Sequence, residues 1–331
     1  MTDGPFLTQA LLARLTQPGP RLPWLEHWLL DEVWSRARFE AAEDVVRDYL
    51  LPGERAVQEM EEILAAAAMR AYDELLAPPT PDRDLRAFLE AGRPSAAVVF
   101  DGLSLRELPA LLRLADRSGF TVQELGVSTA AVPSETTDFT QQRLRLASRV
   151  APTSLPGRGE LRAVGIECAY YDSPRGRRAL DATAPALLLW SAFPDQTYRD
   201  AEANFDSHFA QIQTYLDTAW QNTVQQIPRG RPILVTSDHG YVFFGHGLSA
   251  PRSNAALRPL AARFGGERFA RLDGSEPPPG HPDVAVIPSH GVAMLRGRVQ
   301  VHTSGPDANK LYKHGGLSLM EMLTPWLVLT R

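Results

Sequence analysis

Three apolar runs in this chain stop at an aspartate: "AAVVFDG" at 96–102, "ALLLWSAFPD" at 186–195 and "RPILVTSDHG" at 231–240. Each is short and rich in β-formers, so each reads as a buried strand. After the first comes "RELPALLRLADRSG", a helical pattern stopped by Gly119, and then a further strand, "FTVQELGV". A helical stretch from about Tyr198 to Gln226 separates two of the others. Strand, helix and strand in this order predict an α/β fold with a mainly parallel central sheet. "LRAVGIE", "DVAVIPS" and "RVQVHTS" are the remaining strand candidates. In an open parallel sheet the carboxyl ends of the strands share one rim, and ligands bind there. Asp101, Asp195 and the Asp238-His239 pair are thereby expected at one place, although they lie far apart in sequence.

The chain ahead of this pattern has a different texture. From about Leu22 to Leu76 it carries no strand signal. Trp24, Trp28, Leu29, Val33 and Trp34 recur at helical spacing, and "GERAVQEMEEILAAAAMRAYDELL" is a second helix with acidic residues early. The proline-rich "APPTPDRD" breaks the run. The expected organisation is a helical N-terminal region over 1–88 and an α/β domain over 95–331. The tryptophan-rich helix reads as core or as a partner's contact surface, not as a base-stacking platform.

Composition excludes several function classes. One cysteine, Cys168, rules out a disulfide framework and a cysteine-based zinc site within the chain. A net charge of −5 gives no global polyanion-binding signature. No basic stretch followed by an apolar core stands at the start, and no apolar run has membrane-spanning length, so neither a signal peptide nor a membrane contact is expected. A cytoplasmic setting fits the scarce cysteine. A P-loop is absent. Leu103 stands where a dehalogenase-type phosphatase carries the second aspartate of Asp-x-Asp, and no sulfatase-type Cys/Ser-x-Pro-x-Arg motif occurs.

The charged residues at the strand ends carry the chemistry. Carboxylates crowded on one rim repel each other and take up protons unless a cation intervenes. Asp with His is a ligand set for zinc or manganese. Asp101-Gly102 by itself also fits a plain strand-end turn. "STAAVPSETTDF" offers Ser134, Thr136 and Thr137 ahead of the helix "FTQQRLRLA"; a hydroxyl there serves as an N-cap or as a nucleophile beside phosphate-binding N–H groups. His314, in "YKHGGLSLMEM", precedes a short helix. His246, His290 and the arginines of "SPRGRRAL" read as solvated loop residues.

"VVFDGLSLREL", "VPSETT", "VTSDHG" and "KHGGLSLMEMLTPWLVL", in this order, resemble the PglZ domain, a branch of the alkaline-phosphatase superfamily found in bacterial phage-defence and signalling proteins. The resemblance covers roughly 95 to 331. It implies an alkaline-phosphatase-like α/β sandwich and a metal-dependent phosphodiesterase or phosphatase acting on a nucleotide, a nucleic acid or another phosphate ester. It implies one zinc or manganese held by Asp101, Asp238 and His239, with Thr136 as nucleophile and Thr137 as its near rival. It implies a second cation on Asp195 and His314, plus a histidine shortly after Asp195. That histidine is missing: "PDQTYRDAEANFDSH" has Arg199 in its place, with Tyr198, Asp200 or His208 as substitutes. The alternative reading is a catalytically weak PglZ-like scaffold or sensor module with protein partners in a defence complex.

Overall fold

The computed structural model describes residues 6–66, 71–198, 205–274, 281–301 and 310–331. The chain divides into two compact units, Pro78–Tyr241 with Met320–Arg331, and Met1–Ala77 with Val242–Leu319. Among the described residues the strands are β1 Ser95–Phe100, β2 Thr121–Thr129, β3 Ile166–Tyr171, β4 Ala186–Ser191 and β5 Ile233–Thr236. They continue as β6 Val242–Phe243, β7 Phe269–Arg271, β8 Val284–Ile287, β9 Val292–Leu295, β10 Tyr312–Lys313 and β11 Leu323–Thr330.

The unit built on Pro78–Tyr241 holds a six-stranded sheet in the order β2-β11-β5-β1-β4-β3. β1 pairs in parallel with β4 and β5, and β4 with β3, whereas β11 runs antiparallel to β5 and β2. The sheet is therefore mostly parallel, and the fold is α/β as its alternating strands and helices require. Every residue of β1, β4 and β5 is buried, which explains their continuous apolar sequences. Val99, Leu188, Leu234 and Trp326 pack in one core cluster of this unit. Because β1, β4 and β5 are parallel neighbours, their carboxyl ends lie on one edge, and Asp101, Asp195 and Asp238-His239 follow from that edge.

Four strand expectations change on contact with the structure. "FTVQELGV" forms β2, but at the sheet edge against β11, away from β1. "LRAVGIE" splits: Gly159–Arg162 is helical, Gly165 takes φ +78°, and the strand begins at Ile166. "DVAVIPS" forms β8, in a separate antiparallel sheet β7-β9-β8. "RVQVHTS" forms no strand over 298–301, and its remainder lies outside the described residues. Two carbonyls there have other partners: Val299 accepts from the buried Arg268 guanidinium at 2.7 Å, and Arg298 accepts the Ala250 N–H at 2.8 Å. Pro325 lies inside β11 opposite Val127 of β2, while pairing with β5 begins only at Trp326. The strand thus carries its proline where the β5 side makes no demand for an N–H.

The other unit contains the N-terminal helices, among them Gln9–Thr16, Leu22–His27 and Leu51–Ala66, with β6 to β10. Trp28, Leu29, Val33 and Trp34 are buried, as their helical spacing requires. Trp24 is 37% exposed and carries the Arg14 guanidinium over its ring at 4.2 Å. No helix among the described residues is long and apolar enough to cross a membrane.

Candidate metal centre

Asp101 is the first residue after β1, and its N–H continues the sheet by donating to the Ser191 carbonyl of β4 at 2.9 Å. Asp238 and His239 follow β5 after Ser237, whose hydroxyl sits 2.7 Å from the Phe100 carbonyl at the end of β1. That contact ties the two strand ends together. Thr136 opens the helix Thr136–Arg143, whose N-cap residue Glu135 makes no side-chain cap bond. The first-turn N–H groups of a helix have no intrahelical acceptor, so this end favours an anion.

These elements converge on four atoms. Thr136 Oγ1 lies 3.5 Å from Asp101 Oδ1 and 3.3 Å from His239 Nε2. His239 Nε2 lies 3.7 Å from Asp101 Oδ1 and 3.5 Å from Asp238 Oδ2. Ligands about 2.0–2.1 Å from a tetrahedral zinc sit roughly 3.3–3.4 Å from each other. The observed contacts, 3.3 to 3.7 Å, come near that spacing, so these residues could hold one metal ion. Thr137 contributes its carbonyl, which accepts the Thr140 hydroxyl at 2.9 Å.

The protonation pattern agrees with a ligand set. His239 Nδ1 is 2.9 Å from the Gly240 carbonyl. A carbonyl only accepts, so Nδ1 is the nitrogen that donates there, and Nε2 is the ring atom that faces the cluster. Asp238 is fully buried, and its two oxygens differ. Oδ1 accepts the Gly102 N–H at 3.0 Å, while Oδ2 has no hydrogen-bond partner among the described residues. A buried carboxylate oxygen left in this way is costly unless a cation meets it. Two carboxylate oxygens, one imidazole nitrogen and one hydroxyl fit a zinc or manganese ion.

Backbone packing fixes the imidazole. A Cβ on Gly240 would sit 2.1 Å from the Met320 carbonyl oxygen, and the Gly240 N–H donates to the Glu321 carbonyl at 3.1 Å. Only glycine admits this approach, which holds in place the carbonyl that orients His239.

Trp190 is a site residue that the sequence reading missed. Its Nε1 donates to Asp101 Oδ2 at 3.2 Å, and its ring packs edge-on against Phe139 of the Thr136–Arg143 helix, centroids 5.9 Å apart. No local pattern marks it: the strand register, with Trp190 opposite Val99 one step before the Phe100–Ser191 pair, is what brings it beside Asp101. Partners that hold a ligating carboxylate typically contribute 10–100-fold to metal affinity. Trp190→Phe should weaken zinc binding about 10-fold in a calorimetric titration, within that range. Unchanged affinity would show that the indole holds nothing the site needs.

Asp195 is half-buried and offers a carboxylate oxygen within 4.8 Å of a His239 ring nitrogen. Its N–H donates to the Asp101 carbonyl at 2.9 Å. Of the substitutes for the missing histidine, Tyr198 donates its hydroxyl to the Gly102 carbonyl at 3.0 Å, and His208 Nε2 is 3.0 Å from the Thr197 hydroxyl. Arg199 and Asp200 lie outside the described residues. His314 follows β10 and belongs to the other compact unit. Among the arginines of "SPRGRRAL", Arg177 and Arg178 are exposed and donate to Asn222 and to the Tyr170 carbonyl, each at 3.0 Å.

No protein-family model matches the chain, and no curated protein does. Among solved structures, murine ectonucleotide pyrophosphatase/phosphodiesterase 5, inactive and in complex with AMP, aligns over 71% of this chain and 87% of its own. The identity is 13% and the TM-score 0.42. The human enzyme of the same name aligns over 71% and 87%, at 12% identity and a TM-score of 0.41. Phosphonoacetate hydrolase from Sinorhizobium meliloti 1021, in complex with phosphonoacetate, aligns over 72% and 90%, at 12% identity and a TM-score of 0.36. Likeness of this degree assigns neither a family nor an activity.

Proposed function

We propose that the chain is a metal-dependent phosphoesterase of the PglZ type, acting on phosphodiesters of the nucleotide or nucleic-acid class with Thr136 as nucleophile. The observation that carries this reading is Asp238 Oδ2, without a hydrogen bond among the described residues, in a four-atom cluster whose spacing comes near that of a coordination shell, one atom of which is a helix-N-terminal hydroxyl. Asp101, Asp238 and His239 would hold the cation. When bound, a divalent cation lowers the pKa of a hydroxyl at the site and neutralises charge on the phosphoryl oxygens.

The chain's own residues supply the rest. The start of the Thr136–Arg143 helix offers N–H groups to a phosphoryl oxygen, which orients the phosphorus in front of Thr136. Thr136 directs its proton at Asp101 Oδ1. As Oγ1 gives up its proton and bonds to phosphorus, the bond from phosphorus to the leaving oxygen breaks; that oxygen takes up a proton from water and departs as an alcohol or phenol, and a phosphothreonine ester forms. Water then hydrolyses that ester and restores the hydroxyl. Positioning and charge neutralisation provide most of the catalysis in such transfers. The resemblance assigns Asp195 and His314 to a second cation, and we keep that pair as part of the proposal.

The test is turnover of a bis-aryl phosphodiester by purified protein, before and after chelation and with zinc or manganese restored, together with elemental analysis. Activity should disappear on chelation and return with metal, at one to two metal ions per chain. Bound metal without turnover would favour the scaffold or sensor reading. Neither metal nor turnover would reject the site.

A further inference from the structure

The peptide joining Asp101 to Gly102 is held at both ends. Its carbonyl accepts the Asp195 N–H at 2.9 Å, and its N–H donates to Asp238 Oδ1 at 3.0 Å. One residue further on, the Gly102 carbonyl accepts the Tyr198 hydroxyl at 3.0 Å. The short helix Asp195–Tyr198 thus grips this turn with its first residue and its last.

The grip is close. Gly102 has φ +71°, and a Cβ there would lie 3.1 Å from Asp195 Cβ and 3.2 Å from Tyr198 Cε2. The Tyr198 ring is buried and packs on Tyr241 with centroids 4.5 Å apart. Tyr241 is anchored in turn through its hydroxyl, which donates to Glu107 Oε1 at 3.0 Å. The Tyr198 phenol therefore has one fixed approach to the turn. Burial, then Tyr241 and Glu107, hold its pKa well above the usual phenol range, so it stays a protonated donor. To ligate a cation it would have to lose that proton and leave the Gly102 carbonyl unsatisfied and buried.

We propose that Tyr198 is a positioning residue for the cation site, acting through the Asp101–Gly102 turn to set the Asp101 and Asp238 carboxylates, and is not a ligand. This rests on the metal-binding reading above. It also accounts for the segment after Asp195, where a tyrosine that fastens the turn stands near the place expected for a histidine.

Zinc titrations of the wild-type protein, Tyr198→Phe and Ser95→Ala, whose hydroxyl is buried at the start of β1, away from the strand end that carries Asp101, with melts of the metal-free forms, separate the possibilities. Both variants lose one buried hydroxyl, so both should melt lower. Only Tyr198→Phe should bind zinc more weakly, by about 10-fold or more, as for other groups that orient ligands. Equal affinity in Tyr198→Phe and wild type, or equal weakening in both variants, would overturn the inference. An ultraviolet difference spectrum of the wild-type protein on zinc addition needs no variant: a protonated Tyr198 predicts no phenolate band, and its appearance would make a tyrosine a ligand. Absence of zinc binding by the wild type would reject the site itself, and this inference with it.

Discussion

Thr136→Ala should lower phosphodiester turnover by roughly 10³-fold or more while zinc still binds. Loss of the attacking group removes the covalent route, and what survives is the rate given by positioning and charge alone. Asp101, Asp238 and His239 keep their ligand atoms in this variant, and three protein ligands suffice for a catalytic zinc site. Thr136→Ser keeps a hydroxyl at the same backbone position and should retain much more activity than the alanine variant. Thr137→Ala should have little effect, because the contacts to Asp101 and His239 come from Thr136. Steady-state rates of the four proteins at saturating metal decide it. The reverse ranking of Thr136 and Thr137 would identify the wrong hydroxyl. Full activity in both alanine variants would point to direct attack by water.

What was legible in the sequence was whatever depends on local pattern. Continuous apolar runs marked β1, β4 and β5 because these strands are buried on both faces, and the aspartates that follow them mark the sheet's edge. Helical spacing identified the buried Trp28, Leu29, Val33 and Trp34. What escaped was set by partners distant in sequence. β2 reads as the natural neighbour of β1, yet it pairs with β11, which the chain supplies about 200 residues later. "RVQVHTS" alternates like a strand, but Arg268 and the Ala250 N–H take the Val299 and Arg298 carbonyls that a ladder would use. Trp190 and Tyr198 belong to the site's surroundings only because neighbouring strand ends and a short helix bring them to Asp101 and Gly102. A spacing rule that looks for ligands sees carboxylates and imidazoles, and it overlooks the aromatic donors that hold them.

The second large effect concerns charge. Without a cation, the cluster holds the Asp101 and Asp238 carboxylates beside an imidazole whose proton is directed at the Gly240 carbonyl. Asp238 Oδ2 then has no hydrogen bond among the described residues to offset its burial. Asp238→Asn removes that charge and keeps an oxygen to accept the Gly102 N–H, so the metal-free variant should be more stable than metal-free wild type. The gain should be about 1–3 kcal/mol, the usual cost of a buried unsatisfied polar group. Zinc should reverse the order. At 100 times its dissociation constant a ligand stabilises the native state by about 2.7 kcal/mol, which raises the melting temperature of a domain this size by on the order of 5 °C. Wild type should show that rise. The variant should show little of it, since an amide oxygen replaces a carboxylate in the ligand set. The expected result is a crossing: the variant melts higher in chelator, and wild type melts higher in zinc. A variant that melts lower in chelator and still gains the full zinc shift would mean that Asp238 Oδ2 meets no cation, and the centre would lose the ligand on which its assignment chiefly depends.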